Sequence, residues 1–531
     1  MLKIVTSYLI NDSKNNMEDK NYPVGIQTFE EIRKKNYMYV DKTSFIHKIL
    51  IDKKYIFLSR PRRFGKSLLI STLDSLFSGQ KELFKGLYIY DTDWNWEEYP
   101  VFHIDFSGNT YFDEQRVEAV LSEYLSLWER RYGYQMPEED SSERFRTVMR
   151  RAYEQTGRQV VVLVDEYDYP LLKALDNPKL QEKIRARLQA FYGNMKAMDK
   201  YIRFAMLTGV TKFSKVNVFS GLNNLNDISL ENEFNAICGI SESELAEYFQ
   251  DGIHRIAETQ TMTVEKVREK LKEDFDGYHF SIEGEGIYNP FSLLNTFDKK
   301  RFSDYWFESG TPDLLVKLLK SREYRLSDLP GSRCTESDLK GSDVFLSNPI
   351  PLFYQTGYLT IRGYDREFGE YILDYPNREV KESFIKYLVR FYMPPNDGRG
   401  FSVARLVNAV RDGDAETFME NMQSFFADFP YDQIPKLEVH YQNVMYIVMK
   451  LMGYYVRTEY KTSRGRIDMV IKTNDYIYVI ELKLKGSAKD ALKQIEEKGY
   501  CNPYKADGRE IIRIGASFSP DTHELDEYII E

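Results

Sequence analysis

The sequence predicts an α/β fold in three parts: an N-terminal parallel sheet with flanking helices, a helical lid and connector, and a C-terminal domain of order αβββαβ. Three observations predict it. Up to about residue 235, short apolar β-branched runs alternate with amphipathic stretches, the pattern of a parallel sheet covered on both faces. One of these runs, "YIFLS" (55–59), leads directly into "RPRRFGKSLLIS", in which Gly65, Lys66 and Ser67 open a helical pattern. After about residue 435 the periodicity changes to a helix, three closely spaced strands, a helix and a final strand.

A chain of 531 residues is longer than one hydrophobic core supports, so several domains are expected. Composition shifts place them as a polar tail (1–20), a sheet domain (21–235), a lid and connector (236–434) and a C-terminal domain (435–531). Hydrophobic residues at 42% against 29% charged exclude wholesale disorder. Cys238, Cys334 and Cys501 lie far apart and without C-x-x-C spacing, which offers neither a disulfide framework nor a zinc site and fits a reducing cytoplasm. The first residues are too weakly apolar for a signal peptide, and no window of about 18 apolar residues follows, so no membrane span is expected. A net charge of −10 argues against general coating of nucleic acid, although charge acts over only about 8–10 Å, so local clusters decide.

Taken in order, the tail "NDSKNNMEDKN" has no apolar period and collects turn formers. The strand "YIFLS", the loop and the helical "KSLLISTLDSLF" supply the strand–loop–helix context of a P-loop NTPase. A Walker A loop uses its lysine on the β/γ-phosphates and its serine on Mg²⁺, and Lys66 and Ser67 meet that need. The pattern's first glycine is replaced by Arg60, followed by Pro61, so a different entry path into the loop is expected rather than a lost site. Main-chain N–H groups and the helix N-terminus supply most of the phosphate grip, and Gly65 is kept at the closest approach. Arg62 and Arg63 are candidates to neutralise phosphate charge, and Arg63, Phe64 and Gly65 join Lys66 and Ser67 as expected cofactor-binding positions.

The apolar strand "VVVLVDEYD" ends in Asp165 and Glu166, the Walker B arrangement in which the aspartate holds the Mg²⁺ shell and the next carboxylate orients or deprotonates the attacking water. The strand "FAMLTGV" ends near Thr208, and Lys212 and Ser214 follow where a residue can sense the γ-phosphate. No arginine finger can be assigned. The clustered aromatics around Tyr278, His279 and "YNPF" are read as packing a core rather than as a lid.

In the last domain, "GRIDMVIKTNDYIYVIELKLKG" places Asp468 on one strand and Glu481 and Lys483 on the next, joined by one tight turn. The period of two puts Glu481 and Lys483 on one face while Leu482 points to the core. Two carboxylates and a lysine are the inventory of Mg²⁺-dependent phosphodiester cleavage: carboxylate oxygens bind the metal, and a lysine beside the bound water assists its deprotonation or steadies transition-state charge. Gln494 on the following helix is a candidate contact to the water, and Glu438 a candidate third acid. Arg457, Lys461, Arg464 and Arg466 against Glu459 give a local positive excess able to receive a phosphate backbone.

With these residues in hand, the sequence resembles a prokaryotic family of two-part proteins with an AAA-ATPase-like P-loop domain and a C-terminal PD-(D/E)XK nuclease-superfamily domain, of restriction-endonuclease-like fold. The resemblance is carried by "YPVGIQTFEEIR", "YVDKT", "RPRRFGKSL", "VVVLVDEYD", "LTGVTKFS", "FDGYHF", "YNPFSLLN", "YPNREV", "SRGRIDMVI" and "ELKL". The loop without its first glycine is normal in that family. Ile467 stands where a proline is usual before the nuclease aspartate. The resemblance implies ATP and Mg²⁺ at Lys66, Ser67 and Asp165, and metal, Mg²⁺ or Mn²⁺, at Asp468 and Glu481 with Lys483 as catalytic lysine. The expectation is an ATP-binding and ATP-hydrolysing protein with endonuclease activity gated by nucleotide state, acting on nucleic acid, DNA before RNA, in a setting such as defence, with a homo-oligomer left open. The rival expectation is a nucleotide-switched signalling or nucleic-acid-binding protein whose nuclease-like domain grips without cutting.

Overall fold

The computed structural model describes residues 20–133, 140–212, 222, 224–308, 312–340, 348–392, 402–427, 437–453, 457–463, 466–483, 486–519 and 524–531; for residues 308, 314, 437–438, 457–463 and 466–468 it describes the backbone alone. The polar tail up to residue 19, Ser214, Arg464 and Gly465 therefore lie outside the described residues. The chain divides into two compact units, one of Met1–Gly310 with Ser332–Val380 and one of Thr311–Gly331 with Lys381–Glu531.

The first unit is built on five parallel strands, β1 (Tyr55–Ser59), β2 (Val101–Asp105), β3 (Val160–Asp165), β4 (Ile202–Gly209) and β5 (Asn226–Asp227), in the order β2-β3-β4-β1-β5. Every residue of β3 is buried, as is nearly all of β4 and β1, which is why these three read as continuous apolar runs. β2 lies at the edge and alternates between buried and half-buried positions. The crossover helices Glu114–Tyr132, Ser141–Thr156 and Pro178–Ala197 are started by Asp113, Asp140 and Asn177, each of whose side chains accepts a hydrogen bond from a first-turn N–H. The order puts β1 between β4 and β5, so the carboxyl ends of β1, β3 and β4, with Ser59, Asp165 and Gly209, lie along one side of the sheet, where ligands of such folds bind.

Beyond the sheet, helices Glu242–Tyr248, Gln250–Gln260, Val264–Phe275 and Pro290–Lys299 bury a core of Leu245, Phe249, Ile253, Leu271, Leu293 and Phe297, against which Tyr22, Met38 and Val40 pack from the start of the described chain. The stretch expected to be helical also contains an antiparallel sheet of β6 (Ser332–Thr335), β7 (Thr360–Asp365) and β8 (Glu370–Asp374), in the order β6-β8-β7. These strands are short and β7 turns partly exposed after Ile361, so their apolar period is too brief to stand out from the surrounding helices.

The second unit carries β9 (Arg457–Ser463), β10 (Arg466–Lys472), β11 (Tyr476–Lys483), β12 (Glu510–Phe518) and β13 (Leu525–Ile530), in the order β13-β12-β11-β10-β9. β11 and β12 are parallel, joined by the crossover helix Ala488–Glu497, and the other pairs are antiparallel. With the helix Leu437–Met452 the order is αβββαββ, one strand more than expected: β13 exposes Asp526 and Glu527, which break the apolar alternation a strand usually shows. Ile477 and Val479 of β11 meet Leu492 and Ile495 of the crossover helix.

That helix comes close because β12 has Gly515 beneath it. A Cβ at this position would stand 2.4 Å from the carbonyl oxygen of Ala488 and 2.8 Å from the backbone nitrogen of Leu492. Both are main-chain atoms, so Gly515→Ala is expected to lift the helix and destabilise the second unit by about 2–3 kcal/mol, measured as a lower denaturant midpoint.

Candidate functional site

The expected phosphate loop runs from Arg60 to Gly65, between β1 and the helix Lys66–Phe77. Arg63 and Gly65 both have positive φ, 66° and 94°, so the main chain turns left-handed twice just before the helix begins, and the glycine does so without Cβ strain. Lys66 is 4% exposed, and its Nζ donates to the carbonyl oxygens of Arg60 at 3.0 Å and Pro61 at 3.1 Å, so the ammonium lies back across the loop. Ser67, in the first turn, is half-buried.

Arg60 explains the missing glycine. It is 1% exposed; its Nη1 donates to the carbonyls of Ser59 at 2.9 Å and Ser229 at 2.8 Å, its Nη2 to that of Phe234 at 2.9 Å, and its guanidinium lies 4.0 Å from the ring centroid of Phe280. The loop is gripped at two further points. The indole Nε1 of Trp306 donates to the carbonyl of Arg62 at 3.0 Å, and Gly239 N donates to that of Phe64 at 3.0 Å. Phe64 itself is buried edge-on to Tyr278 and Phe280, with centroids 4.7 and 5.4 Å away. The Phe64 ring packs in the core, and Phe64 also lines the cavity beside Gly65. Arg62 and Arg63 are exposed, with Arg63 5.0 Å from the Phe291 ring. Tyr278 is buried, and His279 Nδ1 bonds the carbonyl of Gly284 at 2.9 Å, consistent with the packing reading of this segment.

Asp165 ends β3 and is 3% exposed. Its Oδ1 accepts from Thr208 Oγ1 at 2.6 Å and from Glu166 N at 3.0 Å. Both bonds fall on one oxygen. Glu166 adopts φ 51°, and burial pushes its carboxyl above the ordinary range against the opposing charge of Lys66. Lys212, expected to sense the γ-phosphate, is buried in an ion pair with Asp227, beside the Phe57 ring at 5.6 Å. Burial raises the Asp227 carboxyl, but Lys212 and Ser229 outweigh it and hold the group below its usual value.

Two features escaped the sequence reading. Asp168, fully buried, accepts from Val210 N, Thr211 N and Thr211 Oγ1, the last two at 2.6 Å, and so fixes the turn that follows Thr208. Its signal was a third carboxylate in "DEYD". Beside Gly65 opens an apolar cavity walled by Pro23, Met38, Val40, Leu68, Ile240 and Leu294. Its walls come from separate segments spread between Pro23 and Leu294, so no local motif announces it.

In the second unit the register places residue 468 of β10 directly opposite residue 481 of β11. Glu481 is fully buried. Its Oε1 accepts from Lys483 Nζ at 3.2 Å and from Gln494 Nε2, Gln494 Oε1 accepts from Lys483 Nζ, and Gln494 Nε2 reaches the hydroxyl of Tyr500 at 3.2 Å. Leu482 points into the core, 2% exposed. Glu481, Lys483 and Gln494 thus form one cluster, to which sequence reasoning had not added Tyr500. The side chains of Asp468, Glu438, Arg457, Glu459, Lys461 and Arg466 lie outside the described residues; Glu438 falls in the first turn of its helix. Among the described residues no group of three His, Cys, Asp or Glu side chains is arranged to hold a metal ion, and no helix is long and apolar enough to cross a membrane.

Restoring the loop glycine tests the role of Arg60. Arg60→Gly is expected to destabilise the first unit by about 2–4 kcal/mol, read from its unfolding midpoint, because two buried carbonyls and one partly buried carbonyl lose a donor.

Comparison with known proteins agrees with this geometry. Residues 23–219 match the family model described as predicted AAA-ATPase, and residues 436–528 match that of the PD-(D/E)XK nuclease superfamily. Over 526 residues the chain is 38% identical to an "uncharacterized protein in vnfD 5'region" of Azotobacter chroococcum mcd 1, covering 97% of this chain and 99% of that protein. Among solved structures, the Aeropyrum pernix ORC1 protein in complex with DNA is similar with a TM-score of 0.27 and 9% identity, covering 70% of this chain and 95% of that one. The ORC2 protein of the same organism, in ADPNP–ADP complexes, has a TM-score of 0.19 and 9% identity over 70% and 97%. The chain belongs to the family of predicted AAA-ATPases that carry a C-terminal domain of the PD-(D/E)XK nuclease superfamily.

Proposed function

We propose that the protein binds and hydrolyses ATP at the phosphate loop and cleaves nucleic acid, DNA before RNA, at the C-terminal cluster, with nucleotide state gating cleavage. The ATPase activity belongs to residues 21–235, the cleavage to 435–531, and residues 236–434 connect them. The observation that carries the reading is the convergence of Glu481, Lys483 and Gln494 opposite position 468, a buried carboxylate, an ammonium and an amide fastened to one another.

At the phosphate loop, the apolar cavity beside Gly65 takes the base and Lys66 exchanges its loop carbonyls for phosphate oxygens. Ser67 and Asp165 would hold Mg²⁺; the donor set fits, since both bonds to Asp165 use Oδ1 and leave Oδ2 for the hydrated ion. Glu166 takes a proton from the attacking water, a role that its raised carboxyl suits. At the C-terminal cluster, Asp468 and Glu481 would hold Mg²⁺ or Mn²⁺, hard oxygen donors for a hard ion. A bound divalent ion polarises the phosphate and acidifies its water. Lys483, kept in place by Glu481 and Gln494, orients that water and steadies the charge of the transition state. Free thiols at Cys238, Cys334 and Cys501 support a cytoplasmic setting, where defence against foreign nucleic acid is a role for a gated nuclease and a homo-oligomer a form it takes.

A panel of double-stranded DNA, single-stranded DNA and RNA, with Mg²⁺ or Mn²⁺ and with or without ATP, tests the reading. Asp468→Ala is expected to lower cleavage about 100-fold or more, a loss of about 2.7 kcal/mol of transition-state stabilisation, with ATP binding retained. Lys66→Ala is expected to abolish nucleotide binding and the response of cleavage to ATP. Cleavage that survives Asp468→Ala would sink the nuclease assignment, and silence across the panel with ATP still bound would favour a switch that grips without cutting.

The Glu166 carboxyl must be ionised to accept a proton. Its raised value predicts that ATP turnover falls on acidification at a pH above the ordinary glutamate value of about 4.3, as the pH profile of kcat would show. Glu166→Gln is expected to keep ATP binding and lose turnover.

A further inference from the structure

Glu379 is a buried carboxylate that the proposed chemistry does not use. It is 3% exposed and lies in the first turn of the helix Arg378–Tyr392. Both of its oxygens meet Ser292 Oγ, at 3.0 and 2.8 Å, and Oε1 accepts from the backbone N of Trp306 at 2.7 Å; the same N–H lies 3.1 Å from Ser292 Oγ. Each partner leads to the nucleotide site. Ser292 belongs to the helix Pro290–Lys299, whose Pro290 and Leu294 wall the apolar cavity, and Trp306 holds the phosphate loop through its indole bond to Arg62.

We propose that Glu379 is a positioning residue for the nucleotide site, fastening the helix that walls the base cavity to the tryptophan that holds the phosphate loop, and that it does this as the neutral acid. The inference rests on the nucleotide reading above. The Ser292 hydroxyl donates to the Glu379 carboxyl, which also accepts from Trp306 N, and as the neutral acid Glu379 keeps these partners without placing a net charge in the interior. As the carboxylate it places a charge in an apolar interior, and Ser292 and Trp306 N alone do not replace its hydration.

The surroundings favour the neutral form. Burial raises the carboxyl to about 8 against the lowering effect of Ser292 and Trp306 N. The charges that act on it, Asp304 and Asp274, are both acidic, and Asp274 is itself paired with Lys270 at 3.1 Å and with Arg378. Tyr278, the other titratable group facing it, is held far above its ordinary value by burial and then by Glu379, and stays neutral over the same range. Ionisation above about pH 8 therefore loosens the clamp on both walls of the site.

The linkage has a definite sign. The folded value lies above that of an unfolded glutamate, so the stability contributed by the neutral acid is complete below about pH 4.3 and is lost as pH rises towards about 8. Glu379→Gln, an uncharged isostere that both donates and accepts, lacks this dependence.

The experiment titrates a fluorescent ATP analogue with Mg²⁺ into the full-length protein from about pH 6.5 to pH 9.5, wild type against Glu379→Gln, with thermal midpoints recorded from about pH 5 to pH 9. If only the neutral form is competent, wild-type affinity falls by up to about tenfold per pH unit above the midpoint, while Glu379→Gln stays comparatively flat. The midpoint of Glu379→Gln is expected to gain on that of wild type as pH rises to about 8 and to hold that gain beyond it. Titration of the analogue's own phosphates or of Cys238 affects both proteins alike. Parallel affinity profiles with a midpoint difference independent of pH would overturn the role of Glu379 while leaving nucleotide binding intact. Failure of wild type to bind at any pH would overturn the nucleotide reading, and this role with it.

Discussion

The first unit depends on a buried cation, Arg60, that makes no salt bridge among the described residues. The Arg60 guanidinium is held by three carbonyl oxygens and the face of Phe280, with Asp227 acting on it only through space. A lone charge in such an interior is costly, and it persists only where fixed donors and acceptors replace its hydration. Two of the carbonyls belong to residues that follow β5, so the sheet, the loop and the segment leading to the helices Glu242–Tyr248 and Gln250–Gln260 must all be in place for any of them to be stable. In ordinary phosphate loops a glycine gives the chain freedom to turn. Here the turn is imposed from outside by contacts with Arg60, Arg62 and Phe64.

The two units solve different electrostatic problems with similar means. At the end of β3, Asp165 is steadied by Thr208 and Glu166 N on a single oxygen, and Asp168 below it by main-chain N–H groups and Thr211. At the end of β11, Glu481 is steadied by Lys483 and Gln494. In each, a carboxylate is drawn to the carboxyl end of a buried strand and held by neighbours from the adjoining strand or crossover helix, which fixes it before any ligand arrives.

What could be read in the chain was what is local. The strand entering the loop, the Asp165–Glu166 strand end and the Glu481–Lys483 pair all follow from a period of two or from a motif of a few residues. Even Gln494 was within reach, because the crossover helix packs on the strand that bears Glu481. The Arg60 contacts could not be read: its partners lie 169 and 174 residues away, and Trp306 lies 244 residues from Arg62. Asp168 was visible as a carboxylate but not as a buried one, since its donors follow β4. The β6–β8 sheet and β13 were lost because short or charged strands carry too little periodicity to be told from loops. The pairing of Lys212 could not be read because Asp227, its partner, sits on a strand of two residues.

Gln494 can touch Glu481 only because residue 515 has no side chain. Residue 515 is also the cross-strand neighbour of Glu481 on β12. It is neither charged nor reactive, and it stands outside the Asp…Glu-x-Lys pattern by which such domains are recognised. A homologous chain could keep every residue of that pattern and still fail to assemble the cluster if a methyl group at this one position held the crossover helix away. An inventory of motif residues therefore measures descent more faithfully than competence, and the glycine under the helix is the position at which the two part company.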